Sequence, residues 1–105
     1  MYGLTGKMIA QPGQRDTLLG YLLQAATGMN AVEGCYMYVV STADDDPNGI
    51  WINEVWRDKE SHDASLQLVA TQELIAKARP IIAGFGERFE STVIGGKGLP
   101  DNAIQ

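Results

Sequence analysis

The segment Trp51-Ile52-Asn53-Glu54-Val55-Trp56-Arg57-Asp58-Lys59-Glu60-Ser61-His62-Asp63-Ala64-Ser65-Leu66 carries the side chains best suited to chemistry. Trp56 has a broad face on which an aromatic molecule could stack, although a tryptophan at a strand end also serves a core. His62, the only histidine, supplies an imidazole six residues further on, a group whose charge changes near neutral pH and which suits proton transfer. Glu54 shares strand parity with Trp56 and Ile52. A carboxylate buried there could act as a base or as an orienting acceptor, and a salt bridge to Arg79 or Arg88 is the competing use of its charge. Alternation sends Asn53 to the opposite face, which removes it as an oxyanion donor beside Trp56. Arg79 could neutralise a phenolate or carboxylate, or stand as a surface charge at the negative end of a helix.

These side chains need a strand running into a helix. Ile50–Arg57 reads as that strand, and Asp58 is a good N-cap for the helix after it. His62, Ser65, Leu66 and Val69 then fall at i, i+3, i+4, i+7 on one inward face. Upstream, the apolar run 4–10 ends at Gln11-Pro12-Gly13 and predicts a strand and a turn. From Gln14, Leu18, Leu22, Ala25 or Ala26 and Met29 recur with helical spacing, ending near Gly28 or Asn30. Residues 35–42 predict a second strand with Tyr36, Tyr38 and Val40 on one face and Cys35, Met37 and Val39 on the other. Both faces are apolar, so the strand requires cover on both sides, by helices and by another subunit. Tyr36 is thereby a candidate for core, dimer or ligand contact.

The loop Ala43-Asp44-Asp45-Asp46-Pro47-Asn48-Gly49 joins two strands as a hairpin and lacks the alternating ligands of a calcium loop. Downstream, Thr71 is a candidate cap for a helix with Leu74, Ala78, Ile81 and Ile82 in a stripe, interrupted by Pro80 and ended by Gly84 and Gly86. Residues 87–94 predict a last strand, with Phe89, Ser91 and Val93 on one face. The order β-α-β-β-α-α-β is the split βαβ pattern of an α+β ferredoxin-like sandwich with a four-stranded antiparallel sheet. The domain is expected over 1–95, with 96–105 as a tail.

Composition bounds the function. The chain has 105 residues, 45% hydrophobic and 20% charged, enough for one globular domain. A domain this small benefits from burying apolar surface against a partner, so a homo-oligomer is plausible. The net charge of −5 and the absence of a basic cluster argue against nucleic acid and anionic membrane surfaces as partners. Cys35 is the only cysteine and cannot form an intramolecular disulfide, and the start of the chain reads as neither a signal peptide nor a membrane span. A cytoplasmic location is expected. Neither a dinucleotide fingerprint nor a metal-ligand set is present, and Gly95-Gly96-Lys97-Gly98 follows the last strand without opening a helix, unlike a phosphate loop.

The Pro12-Gly13 turn, Glu33-Gly34-Cys35 entering strand two, Glu54-Val55-Trp56 on strand three, and Glu60-Ser61-His62-Asp63-Ala64-Ser65-Leu66 leading to Arg79-Pro80-Ile81-Ile82 together carry a family resemblance. The chain resembles the antibiotic biosynthesis monooxygenase superfamily of dimeric α/β-barrel proteins, and within it the small quinol monooxygenase-like members, over residues 4–94. The resemblance implies a ferredoxin-like subunit whose sheet packs on a second copy, with a pocket between sheet and helices. It implies cofactor-free oxygenation of a small aromatic quinol or phenol by O2, with His62 and Glu54 as candidate catalytic groups and Trp56, Ser65, Arg79, Tyr36 and Ile52 as candidate substrate contacts. Ser65 stands where many members carry a histidine, and Ile52 where an anthrone-oxidising member has an asparagine. Two alternatives accompany this reading: a non-catalytic dimeric barrel that binds a small hydrophobic molecule, and a haem-degrading relative, disfavoured by the short spacing from Trp56 to His62.

Overall fold

Four strands, β1 (Tyr2–Ala10), β2 (Cys35–Thr42), β3 (Gly49–Trp56) and β4 (Ile82–Thr92), make one antiparallel sheet in the order β2-β3-β1-β4. The computed structural model describes residues 1–100, and the last part of the expected tail, 101–105, lies outside the described residues. Helix α1 (Arg15–Met29) connects β1 to β2, and α2 (Lys59–Ser65), α3 (Val69–Ala78) and a 3-10 turn (Arg79–Ile81) connect β3 to β4. This is the α+β ferredoxin-like arrangement that the element order predicts.

The registers define two faces. On the helix side, Tyr38, Glu54, Leu4 and Glu90 form one row across the sheet, and Val40, Ile52, Gly6 and Arg88 form the next. Ala10, Ile50 and Ile52 pack there against Leu18 and Leu22 of α1 and Ala78 of α3. Ile50 and Leu18 are wholly buried, each worth about 1.5–3 kcal/mol of hydrophobic stabilisation. The opposite face carries the row Val39, Asn53, Thr5, Phe89, in which the hydroxyl of Thr5 donates to Asn53 Oδ1 at 2.9 Å. Val39 and Phe89, at its two ends, are exposed.

Local chemistry explains the joints. Gly13 has φ 77, a backbone conformation that a residue with a Cβ rarely adopts, and it lets the chain turn sharply into α1. Asp46 closes the hairpin loop by accepting from the backbone N–H of Asn48 at 2.9 Å and by pairing with Lys7 at 3.3 Å. These contacts hold its carboxyl below the ordinary value, the Asn48 bond being the largest cause. Asp58 caps α2 as expected, accepting from Ser61 N–H at 2.7 Å.

Four expectations are corrected. The helix carrying His62 stops at Ser65, so Val69 leaves the inward face and is 70% exposed, whereas Leu66 still lines the cavity beside His62 and Ser65. The next helix is entered from Leu68, whose backbone is extended, and Thr71 lies inside it. After Ala78 the chain does not continue as a helix to Gly84 and Gly86. Pro80, lacking a donor, sits in the 3-10 turn, and Ile82 already opens β4. Both glycines thus belong to a strand whose pairing with β1 shifts register twice. In β2, a bulge between Cys35 and Met37 puts Cys35 opposite Trp56 and Tyr38 opposite Glu54, so Cys35 does not share the face of Met37 as simple alternation predicts.

Candidate active site

Between the helix side of the sheet and the helices lies a cavity of about 320 Å³, within the range of small-molecule sites. Its floor comes from Met8, Tyr38, Ile52, Glu54 and Trp56, its roof from α1 through Tyr21, Leu22 and Ala25, and its far wall from α3 through Leu74 and Ile75. His62 and Ser65 close one end, and Phe85 of β4 stands at the rim with 72% of its surface exposed. The lining is almost entirely apolar. Among the described residues, Glu54 is its only carboxylate.

Strand parity explains why Glu54 and Trp56 meet: residues two apart on β3 point to the same face. Trp56 Nε1–H donates to Glu54 Oε1 at 2.9 Å, while the indole itself is 1% exposed. Burial raises the Glu54 carboxyl above its ordinary value, and the Trp56 hydrogen bond and the nearby His62 only partly oppose this. A carboxylate in such a place is a stronger base than one in water. Its neighbours feel it in turn. Burial, followed by the charge of Glu54, pushes the Tyr38 phenol up, and the same two causes push the Cys35 thiol up to about 11. Cys35 is therefore a poor nucleophile at neutral pH.

His62 packs its ring edge against Trp56, with centroids 5.5 Å apart and planes at 81°, and lies 5.6 Å from the ring of Tyr2. Its Nδ1 is 3.0 Å from Asp63 Oδ1. The hydrogen bond to His62 is the largest cause holding the Asp63 carboxyl below its ordinary value, ahead of the bond from Lys59. An ionised Asp63 favours the tautomer with the proton on Nδ1, which leaves Nε2 of a neutral ring as the acceptor. Ser65 is buried beside His62, but its hydroxyl donates to the carbonyl of His62 at 2.6 Å, so it serves its own helix.

Of the side chains singled out in the sequence, the cavity brings together Glu54, Trp56, His62, Ser65 and Ile52. Arg79 is exposed in the 3-10 turn and Tyr36 lies at the bulge of β2; neither lines the cavity. Nor does Glu54 pair with Arg79 or Arg88, since Arg88 Nη1 binds Glu90 Oε1 at 2.7 Å. Sequence reasoning missed Phe85, because the helix was carried too far, and it placed Tyr38 on an apolar strand face without making it a site candidate. Parity with Val40 and the apolar partners on either side were the available signal for Tyr38. Among the described residues, no three His, Cys, Asp or Glu side chains are grouped closely enough to hold a metal ion, and no helix is long and apolar enough to cross a membrane.

The fold has counterparts. A structure from Chloroflexus aurantiacus J-10-fl, provisionally named an antibiotic biosynthesis monooxygenase, shares 47% identity over 94% of this chain and 98% of its own, with a TM-score of 0.87. Others are similar in fold alone: one of the same provisional name from Deinococcus radiodurans (18% identity, 91% of this chain and 95% of that one, TM-score 0.78) and a conserved protein from Methanosarcina mazei Go1 (17%, 86% and 89%, TM-score 0.77). No curated protein matches the chain. The family model for antibiotic biosynthesis monooxygenases matches residues 1–77, which include β1, α1, the hairpin and the whole Glu54–Trp56–His62 group. With that match over most of its length, the chain belongs to the antibiotic biosynthesis monooxygenase family.

Proposed function

We propose that the protein is a cofactor-independent monooxygenase that oxidises a small quinol- or phenol-type aromatic with O2. The observation that carries this reading is one desolvated carboxylate, Glu54, held by Trp56 in an otherwise apolar cavity. A dry cavity accepts an aromatic ring and excludes water from reactive intermediates. Glu54 takes a hydroxyl proton from the quinol, making an electron-rich anion that can pass an electron to O2. Recombination at a ring carbon forms a C–O bond. Loss of the proton from that carbon then cleaves O–O, and hydroxide leaves as water. The balance is quinol plus O2 giving hydroxyquinone plus water, with the substrate supplying all four electrons. His62, oriented by Asp63, is the second proton-transfer group, and Trp56 and Ile52 hold the ring.

The functional unit in this proposal is the domain over 1–95 acting as a cytoplasmic homodimer. Exposed Val39 and Phe89 on the sheet face away from the helices support a second copy as the missing cover of β2. A second reading, a dimeric barrel that only binds a hydrophobic molecule, is favoured by Ser65, whose hydroxyl is spent within its own helix. Oxygen uptake with a panel of hydroquinones and anthrones, comparing wild type with Trp56→Phe, His62→Ala and Glu54→Gln, separates the two. Turnover above autoxidation that Glu54→Gln lowers supports the enzyme; none across the panel leaves the binding protein.

A further inference from the structure

The cavity does not end at Glu54. A second compartment of about 220 Å³ adjoins it, and Met8, Ile52, Glu54 and Phe85 line both. Its floor is Gly6, which stands between Ile52 and Arg88 in a row of the helix-side face. A Cβ built on Gly6 would meet nothing within 4 Å, so neither backbone nor neighbouring side chains require glycine there. Its φ is not positive either. What the missing side chain does is leave the space over β1 open.

The two compartments differ in chemistry. The first is apolar, whereas the second adds Lys7, Glu87 and Arg88 to Glu54 on a lining that is still mainly apolar. Lys7 is paired with Asp46 at 3.3 Å and Arg88 with Glu90 at 2.7 Å, so neither cation is free to hold an anionic group. The Arg88 N–H groups can donate to a hydroxyl or carbonyl oxygen of a neutral ring, and the carboxylates can accept from its hydroxyl.

We propose that Gly6 is a specificity-determining residue: it keeps open a second compartment that selects an elongated aromatic, with an apolar ring system in the main cavity and a neutral oxygenated ring over Gly6. This rests on the reading of the main cavity as an aromatic site, and Glu54 then lies at the junction of the two halves of the ligand.

Calorimetric titration of two phenols tests it: 2-naphthol, and 6-(4-hydroxyphenyl)-2-naphthol, which adds one hydroxylated ring. Wild type should bind the longer phenol at least about tenfold more tightly, and Gly6→Val should abolish that advantage while leaving 2-naphthol affinity within about twofold. Thermal unfolding checks that the variant is folded. Should Gly6→Val fail to fold, Gly6→Ala places one methyl in the same space and should cost the longer phenol about threefold. Equal affinity of wild type for both phenols, or an equal effect of the substitution on both, overturns the proposal. Failure of both phenols to bind wild type overturns the aromatic-site reading and this inference with it, whereas loss of the length preference alone leaves that reading standing.

Discussion

Trp56→Phe separates packing from electrostatics at the centre of the site. The indole is 1% exposed and its N–H donates to Glu54 Oε1 at 2.9 Å. Truncating a buried tryptophan to alanine costs about 3–5 kcal/mol, so losing only the second ring should cost about 1–2 kcal/mol at every pH. The hydrogen bond adds about 1.5–3 kcal/mol when its acceptor is charged and about 0.5–1.5 kcal/mol when it is neutral. Glu54 sets which applies. Burial raises its folded-state pKa above the unfolded value, so ionising it disfavours the folded state, and stability falls as pH rises through that interval. The Trp56 bond opposes this rise, and without it the folded pKa moves higher still. The cost of Trp56→Phe should therefore be smallest in acid, grow by about 1 kcal/mol as pH passes the folded pKa of Glu54, and level off at higher pH. Urea denaturation between pH 4 and pH 8, on the wild type and Glu54→Gln backgrounds, reads this directly. Glutamine stays neutral, so on that background the cost should not vary with pH. A cost that is pH-independent on both backgrounds would refute the coupling between Trp56 and a desolvated Glu54.

Other changes have separate signatures. Glu54→Gln should lower quinol turnover by about 10²–10⁴, the usual contribution of a positioned base, and should raise stability at pH 8 relative to wild type more than at pH 4; steady-state kinetics and denaturation check the two parts. A Cβ on Gly34 would lie 2.7 Å from Cβ of Ser61, so Gly34→Ala should cost about 1–3 kcal/mol through overpacking of α2 against the entry to β2, which thermal unfolding would register. Phe89→Lys should convert the proposed dimer into a monomer in sedimentation at micromolar concentration, because it puts a charge at the end of the sheet row meant to be covered.

Much of this was legible before the structure. Two-residue parity on β3 is rigid, which is why Glu54, Trp56 and Ile52 fall together and Asn53 turns away to Thr5. A helix start with an aspartate cap is similarly local, and it sets the inward positions of His62 and Ser65. What periodicity could not reveal was where it stops. Leu66 and Val69 continue the helical spacing in sequence, yet the chain breaks between them. The stripe through Ile81 and Ile82 hid a change from helix to strand, so Phe85 went unnoticed. The bulge at Tyr36 is likewise invisible to an alternating pattern, because one extra residue shifts every neighbour before it. Arg79 had suitable chemistry at a suitable distance in sequence, but the 3-10 turn leaves it exposed, outside the cavity. The second compartment depends on a side chain that is missing, and only the cross-strand register makes the gap at Gly6 meaningful.

The central claim is that the protein inserts one atom of O2 into a quinol using nothing but its own side chains. Metal-stripped, flavin-free protein incubated with a turnover-competent quinol under isotopically labelled O2 tests it, with the product examined by mass spectrometry. The account predicts one labelled oxygen in each hydroxyquinone, one O2 consumed per quinol, and a rate that falls by about 10²–10⁴ in Glu54→Gln. Unlabelled quinone with hydrogen peroxide as the reduced product, or a rate indifferent to Glu54, would contradict it.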